Sequence, residues 1–232
     1  MKKMVYLLAG MLFLLIGNCE QEDPGSILPV FTGTVTDIDG NTYKTIKIGD
    51  QWWMAENLRT TRYRNGDSIS FVSESDEWVN ADTGAYCNYG NDTAYVKTFG
   101  RLYNWHAVSD NRNMAPTGWH VSGDAEWTIL AAFLGGDSVA GGKIKESGYL
   151  HWASPNTGAT NETGFTGPAG GYRLGITTGT FFGLGQYGNW WTCTVSGSTS
   201  AWYRELVYDN ASIGRDSVEL KYGFSVRCVK DQ

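Results

Sequence analysis

Three histidines, His106, His120 and His151, are the side chains of this sequence best suited to proton transfer. An imidazole serves nucleophilic catalysis only beside an activated serine or cysteine and a group that orients the ring. No Gly-x-Ser-x-Gly turn accompanies these histidines. His120 stands in GWHVSGDAEW, at a corner between a strand and a helix, where one hydrogen bond would satisfy a structural imidazole. We therefore predict no catalytic residue among the three.

The acidic side chains and cysteines do not form a recognisable reaction centre or metal site either. Asp37, Asp39 and Asn41 have the spacing of a calcium loop, but Gly40 lies at the wrong position for an EF-hand. The sequence contains no Cys-x-x-Cys pair, so a zinc site is not expected. No two loop carboxylates stand out as the pair that a glycosidase needs. We predict no metal and no cofactor, with calcium in this loop as the weaker alternative.

The N-terminus has the pattern of a bacterial lipoprotein signal peptide, residues 1–18. Lys2 and Lys3 precede an apolar stretch that is too short to span a bilayer comfortably. Cys19 follows where such lipoproteins carry their lipidated cysteine, and the acidic EQEDPGS after it resembles the tether that directs lipoproteins of Bacteroidota-like bacteria to the outer face of the outer membrane. We predict a lipid on Cys19, a tether over residues 19–33, and membrane contact through this anchor only. Ordinary signal cleavage, with Cys19 in a disulfide, is the alternative.

The remaining cysteines allow one disulfide at most if Cys19 carries lipid. They are Cys87, Cys193 and Cys228, and an exported protein permits a bridge between two of them. Cys193 and Cys228 both lie in strand-like segments near the C-terminus. We therefore prefer a Cys193–Cys228 pairing.

The composition favours short strands joined by turn-rich loops. The chain has 30 glycines and 14% aromatic residues, and its formal charge of −6 comes without a basic stripe. Because phosphate binding needs clustered lysine and arginine, nucleic acid is excluded as the main partner. No internal repeat and no linker divides the sequence after the tether, so residues 34–232 are predicted to form one domain.

Hydrophobic patterning places several elements along the chain. TIKI and QWWM flank Gly49-Asp50 and predict a tight hairpin. A short helix is predicted over residues 101–109. TGWHV predicts a short strand, and YGFSVRCVKD predicts a half-buried one whose inward side chains alternate. In that strand the inward residues are Phe224, Val226 and Cys228.

The clearest helical pattern is SGDAEWTILAAFLGG. Ser122 is the candidate N-cap, and Gly135-Gly136 ends the helix. Its predicted apolar face consists of Trp127, Leu130, Phe133 and Leu134.

Eight stretches of the sequence occur in an order shared with one known family: DIDGNTYKTIKIGDQWWMAENLRTTRYRNGDSI, AYCNYGND, GRLYNWHAV, PTGWHVSGDAEWTIL, GGKIKESGYLHW, GATNETGFTGPAGGYR, GNWWTCT and YGFSVRCVKD. Together they resemble the Fibrobacter succinogenes major paralogous domain, which is found in exported proteins and lipoproteins of Bacteroidota and their relatives. The family is related in fold to the formylglycine-generating enzyme and to C-type-lectin-like domains. The resemblance implies an α+β domain with small, twisted antiparallel sheets, two short helices and long loops rich in glycine and aromatics.

The resemblance implies little about chemistry, and two positions depart from the family pattern. Ala115 stands where many members have cysteine, and Cys193 stands where serine or threonine is usual. Formylglycine-generating enzymes use two cysteines close together near the C-terminus, and Cys193 and Cys228 do not match that pair. Oxidase activity is therefore not expected.

The loops of such a fold often carry binding residues, and this chain's loops combine aromatic, amide and charged side chains. Six tryptophans in strand or helix patterns are expected in the core: Trp53, Trp105, Trp119, Trp127, Trp190 and Trp191. Three others are expected at the surface: Trp78, Trp152 and Trp202. The candidate ligand-binding residues are Trp78, Tyr86, Asn88, Tyr89, Asn91, Asp92, Trp152, Tyr172, Arg173 and Trp202.

These features predict an outer-membrane, lipid-anchored protein that faces the cell exterior and carries a non-enzymatic binding domain. Its predicted partner is a glycan or a surface protein. The alternatives are an exported enzyme of the formylglycine-generating fold with altered chemistry and a structural subunit of a surface assembly.

Overall fold

The computed structural model describes residues 31–232, so the predicted signal peptide and Cys19 lie outside the described residues. Within them the protein is a mixed α+β structure of three small sheets and several short helices, which confirms the predicted class. No helix in this part of the chain has the length and apolar character needed to cross a membrane.

Thirteen strands and five α-helices make up the described fold. The strands are β1 (Phe31–Thr36), β2 (Thr42–Ile48), β3 (Gln51–Met54), β4 (Ser70–Phe71), β5 (Ala85–Cys87), β6 (Leu102–Tyr103), β7 (Trp119–Val121), β8 (Gly170–Arg173), β9 (Phe181–Leu184), β10 (Tyr187–Val195), β11 (Ser200–Val207), β12 (Gly214–Glu219) and β13 (Cys228–Lys230). The helices are α1 (Ser75–Val79), α2 (Val96–Phe99), α3 (Trp105–Val108), α4 (Asp124–Phe133) and α5 (Asp137–Ile144), with 3-10 turns at Tyr89–Asn91 and Thr93–Tyr95.

The strands form two five-stranded sheets and one three-stranded sheet. The first sheet has the order β1-β2-β3-β13-β7, the second β12-β11-β10-β8-β9 and the third β4-β5-β6. Most neighbours are antiparallel, as predicted, and the exceptions are the β4–β5 and β8–β10 pairs. The predicted hairpin is confirmed, because Ile48 pairs with Gln51 across Gly49-Asp50. Gly49 has a φ of 59°, which glycine adopts without strain.

Helix α4 is confirmed, but its N-cap is Gly123 and not Ser122. The Ser122 hydroxyl instead accepts a hydrogen bond from Trp127 Nε1 at 2.8 Å, because a buried indole needs an acceptor. The Glu126 carboxylate caps the helix by accepting from the Gly123 amide at 2.7 Å. Phe133 is 50% exposed, so its placement on the apolar face is wrong. The buried stripe runs along Trp127, Leu130, Ala131 and Leu134.

The predicted helix over residues 101–109 is also wrong, because only its second half is helical. Leu102–Tyr103 forms strand β6, and the helical turn α3 begins at Trp105. The Asn104 side-chain oxygen accepts hydrogen bonds from the amides of Ala85 and Ala107, so it ends the strand and caps the turn. Two helices, α4 and α5, reach eight residues or more, while α1, α2 and α3 are short turns. The sequence patterns did not predict α1 and α2.

The C-terminal segment (residues 223–230) joins all three sheets. Its strand β13 lies between β3 and β7 in the first sheet, where Val229 pairs with Trp53. Phe224 forms a bridge with Tyr103 in the third sheet, and Ser225 forms one with Trp190 in the second. The prediction of a half-buried strand is wrong, since every side chain from Phe224 to Val229 is buried. A segment packed between sheets has no solvent face.

Arg227 is the charged residue at the centre of this segment, and its side chain is fully buried. The guanidinium donates to Asn57 Oδ1 at 2.6 Å and to three backbone oxygens, of Met54, Phe165 and Thr166, at 2.7–2.9 Å. It also lies 4.3 Å from the centroid of the Phe165 ring. Burial lowers the pKa of Arg227, and the four acceptors offset the cost of removing the cation from water.

The six tryptophans predicted in the core are all buried, which confirms that prediction. Trp53, Trp127 and Trp190 pack around Phe165 with ring centroids 4.9–6.3 Å apart, mostly edge to face. Trp190 Nε1 donates to Asn57 Oδ1 at 2.8 Å, the same oxygen that holds Arg227. This aromatic cluster and the Arg227 site therefore share one amide.

The predicted Cys193–Cys228 disulfide is not present, because both residues are free thiols in the structure, as is Cys87. Cys228 is buried in the core cluster that contains Trp119 and Trp191, whereas Cys193 is exposed. Burial raises the pKa of the Cys228 thiol, which keeps it protonated and unreactive.

We predict that Arg227→Lys lowers the free energy of unfolding by about 3 kcal/mol or more, since an ammonium cannot reach the four acceptors and strands them in the interior. Arg62→Lys is the matched control, because its side chain is 54% exposed, and its effect should stay within about 0.5 kcal/mol. Urea unfolding followed by tryptophan fluorescence measures both. A loss below about 1 kcal/mol for Arg227→Lys would contradict the central role of the guanidinium.

Candidate functional site

Five of the ten predicted ligand-binding residues are buried. They are Trp78, Asn88, Trp152 and Arg173, which are at most 2% exposed, and Tyr86, which is 9% exposed. The placement of Trp78 and Trp152 at the surface is therefore wrong. Trp152 Nε1 donates to the Gly167 carbonyl at 3.0 Å. The Arg173 guanidinium donates to three backbone oxygens and lies 4.6 Å from the Trp78 ring centroid. These side chains hold loops together.

Most of the other candidates also make internal contacts. Asn88 Oδ1 accepts from Arg101, whose guanidinium lies over the Tyr86 ring at 4.7 Å. Asn91 Nδ2 donates to the Ser73 carbonyl, and Asp92 caps a 3-10 turn. Tyr89 packs against Tyr95 and Phe181, and Trp202 is covered by the Arg215 guanidinium at 3.4 Å. None of the six candidates in this group lines the cavity described next: Tyr86, Asn88, Tyr89, Asn91, Asp92 and Trp202.

Tyr172 is the predicted residue that lines a cavity with the character of a binding site. This cavity, the tyrosine pocket, has a volume of about 420 Å³. It is lined by Tyr172, Leu174, Tyr187, Asn189, Tyr203, Glu205, Val218, Tyr222 and Phe224. The rings contact one another: Tyr172 has centroids 6.0–6.5 Å from those of Tyr187, Tyr222 and Phe224. The four tyrosines and Glu205 are partly exposed.

The alternation of side chains along neighbouring strands positions the pocket residues. Asn189 of β10 pairs with Glu205 of β11, so both side chains point to the same face of the second sheet. Tyr187 and Tyr203 lie two residues away on their strands and share that face. The C-terminal segment covers one side with Phe224, whose centroid is 4.8 Å from that of Tyr203.

A glycine allows Tyr172 to enter this face. Gly171 has a φ of 63°, and a Cβ there would lie 2.4 Å from the Phe182 carbonyl oxygen. Any other residue at 171 would therefore push β8 away from β9 and move the Tyr172 ring.

The polar groups of the tyrosine pocket lack protein partners. Asn189 is 1% exposed, and its Oδ1 is buried without a hydrogen bond. Within residues 31–232, the Glu205 carboxylate and the four tyrosine hydroxyls form no hydrogen bond or ion pair with protein groups. Only Asn189 Oδ1 among these groups is buried, and buried polar groups in folded proteins are nearly always satisfied. This oxygen therefore marks the cavity as a place where a ligand can supply the missing partner.

The electrostatic environment of the pocket is negative. Burial raises the pKa of Glu205, and the neighbouring carboxylate of Asp216 raises it further. Burial also raises the pKa of Tyr172, Tyr203 and Tyr222, so these hydroxyls stay protonated and can donate hydrogen bonds. The pocket thus offers phenol donors, amide and carboxylate groups, and aromatic faces.

Three larger depressions have polar groups that are already partnered or solvated. One, of about 590 Å³, contains Asp82, which pairs with Lys221 at 2.8 Å, and His106, whose pKa is lowered by burial. The second, of about 540 Å³, contains His151, whose Nδ1 lies 2.7 Å from the Glu146 carboxylate.

The third depression, of about 550 Å³, contains Glu56, whose carboxylate pairs with Arg59 at 2.8 Å. Size alone favours these depressions, but the chemistry favours the tyrosine pocket.

The possible calcium loop is held by its own hydrogen bonds. The Asp37 carboxylate accepts from the amides of Asp39 and Asn41 and from Tyr43 Oη. Asp39 Oδ2 accepts from the Thr61 amide and hydroxyl. In the described part of the chain no group of three or more His, Cys, Asp or Glu side chains is placed to hold a metal ion.

Sequence reasoning missed all the polar residues of the pocket other than Tyr172: Tyr187, Asn189, Tyr203, Glu205 and Tyr222. The signal was present as alternation, because YGNWW and YRE place polar or aromatic residues two apart, on one face of a strand. What the sequence did not reveal is that β10 and β11 pair in the register that joins these two faces.

His120 is a bridge between two carboxylates. Its Nδ1 lies 2.7 Å from Asp231 Oδ1, and its Nε2 lies 2.8 Å from Glu126 Oε1. The expectation of one hydrogen bond is therefore wrong, since there are two. The hydrogen bonds to Glu126 and Asp231 raise the pKa of His120 to about 9. An imidazolium with both nitrogens occupied at neutral pH is a structural cation that connects the start of α4 to the C-terminus.

The comparisons with known proteins give one match. The model of a family described as the Fibrobacter succinogenes major domain matches residues 46–230. No curated protein and no solved structure matches the chain.

We predict that the His120 bridge makes stability fall between about pH 6.5 and pH 9. The pKa of His120 is raised in the folded state above its unfolded value. Its contribution to the free energy of unfolding is therefore complete below pH 6.5 and is lost as the pH rises through about 9. The melting temperature of the wild type should fall more steeply over this range than that of His120→Gln. His106→Gln is the control and should keep the wild-type slope. Equal slopes for wild type and His120→Gln would show that the bridge carries no stabilising charge.

Proposed function

The chain belongs to the Fibrobacter succinogenes major domain family, and on that premise we propose that it is a non-enzymatic binding domain whose ligand site is the tyrosine pocket. The ligand class is a glycan. A glycan was one of the two partners expected from the sequence, and the pocket offers aromatic faces and hydrogen-bonding groups that suit a sugar.

One observation carries this proposal: aromatic walls surround polar groups that have no protein partner. Sugar rings present apolar C–H faces, which pack on tyrosine rings, and hydroxyls, which pair with amide and carboxylate oxygens. The phenol hydroxyls, Asn189 and Glu205 lie on the same lining. A cavity of about 420 Å³ falls within the size range of small-ligand sites.

The proposal extends to the fold relationship and to the location of the protein. We propose that the small sheets and short helices make this domain a relative of the C-type-lectin-like and formylglycine-generating folds, which often present variable loops from a rigid scaffold. A lipid on Cys19 would hold the domain on the outer membrane, facing the cell exterior, and the tether over residues 19–33 would separate the pocket from the bilayer.

An enzyme on the same fold is the second candidate, and one observation favours it. Burial and, to a smaller extent, the Asp216 carboxylate raise the pKa of Glu205, and a raised carboxyl pKa is the property of a general acid in glycoside hydrolysis. Hydrolysis of bound oligosaccharides, detected by mass spectrometry and lost in Glu205→Gln, would favour this candidate over binding alone.

We predict that the purified protein binds a subset of a glycan array containing neutral, N-acetylated and free-amine oligosaccharides. Tyr172→Ala should raise the dissociation constant of the bound glycans about tenfold or more, because it removes a wall of the pocket. Tyr149→Ala, at a 67% exposed tyrosine outside the pocket, is the control and should leave the affinity unchanged. Calorimetric titration measures the affinities. An unchanged glycan affinity of Tyr172→Ala would show that the binding site lies outside the tyrosine pocket.

We predict that cells producing the wild-type protein incorporate labelled palmitate into it, and that Cys19→Ala abolishes the labelling. Cys193→Ala is the control, because that exposed thiol lies outside the lipoprotein pattern. A labelled Cys19→Ala protein would refute the anchor.

A further inference from the structure

We propose that the glycan held in the tyrosine pocket carries a free amino group, and that Glu205 binds this group as an ammonium. This inference rests on the proposed function and names the ligand class for that same site. Its basis is the charge balance of the pocket together with its aromatic walls.

Glu205 is the only charged side chain among the lining residues of the pocket in the described structure. It is half-buried and has no ion-pair partner in residues 31–232. A carboxylate that is partly removed from water without a counter-charge is unfavourable, and a cationic ligand would remove that cost. Neutral sugars would leave the charge in place.

The basic residues next to the pocket in sequence have other partners. Arg173 follows Tyr172 but donates to the carbonyls of Val72, Ser73 and Gly179. Lys221 precedes Tyr222 but pairs with Asp82 at 2.8 Å.

The basic residues of β11 and β12 are held in the same way. Arg204 and Arg215 both pair with Asp124, at 2.8 and 2.9 Å. Each of these four cations therefore already has a partner, and none of the four pairs with Glu205.

The remaining surroundings add to the negative potential. Asp216 pairs in register with Tyr203, next to Glu205 on the same face of the sheet, and is exposed at the edge of the pocket. The ring faces of tyrosine and phenylalanine carry negative electrostatic potential and attract cations. Five such rings line this cavity. The carboxylates and the aromatic rings thus both attract a cationic ligand.

The shape and polarity of the pocket favour an amino sugar over a lysine side chain. A lysine side chain is a narrow alkyl stem and would fill a small part of about 420 Å³. It would also leave the buried Asn189 Oδ1 unpaired, which costs affinity. A hydroxyl of a sugar ring can satisfy this oxygen while the amine of the sugar reaches Glu205.

A metal cation is a poorer occupant. Calcium takes six to eight oxygen ligands, whereas the pocket offers one carboxylate and one amide oxygen besides the phenols. The charge therefore suits a group that is both cationic and organic.

The test compares two oligosaccharides that differ only at nitrogen. The purified protein is titrated at neutral pH with the tetramer of β-1,4-glucosamine and with its fully N-acetylated counterpart, with cellotetraose as the neutral reference. We expect the free-amine tetramer to bind about tenfold more tightly than the acetylated one. Glu205→Gln should bring this ratio close to one. Glu77→Gln, at an exposed acid of α1, should keep the wild-type ratio.

Each outcome separates this inference from the proposed function. Equal binding of the three tetramers by the wild type, weakened by Tyr172→Ala, would overturn the ammonium inference and leave glycan recognition standing. Absence of binding to all three and to the glycan array would overturn both. Equally tight binding of Nα-acetyl-lysine amide would overturn the amino-sugar assignment in favour of a peptide ligand. Because Glu205→Gln removes a charge that has no partner, the urea midpoint of this variant should not fall below that of the wild type. A lower midpoint would mean that the affinity ratio is lost through unfolding, and this result would count against the proposal.

Discussion

The structure depends on a guanidinium held away from water. Arg227 reaches four oxygen acceptors that come from distant parts of the chain, at residues 54, 57, 165 and 166. Short strands and long loops do not bury enough regular backbone to fix one another by ladder hydrogen bonds alone. A planar cation with several fixed donors can fix such loops, because its geometry specifies where each carbonyl must lie. Asn57 extends the arrangement to Trp190, and so to the aromatic cluster.

The tyrosine pocket depends on the same segment. Ser225 pairs with β10 beside Asn189, and Phe224 packs against Tyr172 and Tyr203. The residues that complete the core and the residues that cover the pocket are therefore neighbours in sequence. A rigid core directly beneath a site keeps its side chains in place before a ligand arrives, which lowers the entropic cost of binding. The unpartnered groups are tolerated because this support holds them there.

Local signals in the sequence predicted the elements whose pattern is local. The hairpin at Gly49-Asp50, helix α4 and the six core tryptophans follow from turn residues, helical periodicity and the position of aromatic side chains in strands and helices. The short strand at Trp119–Val121 was predicted in the same way. Family resemblance added the α+β class.

The errors arise where long-range contacts decide the outcome. The segment around Arg227 looked half-buried because an arginine alternated with apolar residues, but partners far along the chain bury both faces. Trp78 and Trp152 looked exposed because the surrounding sequence is loop-like, yet Trp78 lies in α1 and both side chains are buried. The pocket forms only when β10 pairs with β11 and when β8, which contains Gly171, pairs with β9. No single stretch of sequence specifies either register.

The order of the strands has a consequence for how the protein reaches its native state. In the first sheet, β13 lies between β3 and β7, although it follows both in the chain. A ribosome releases the N-terminal strands long before Val229 emerges to meet Trp53. Until then the first sheet has a gap at its centre, and the acceptors of Arg227 have no donor. Closing such distant contacts is slow, so the polypeptide stays loosely structured during its synthesis and becomes rigid only when its last strand arrives.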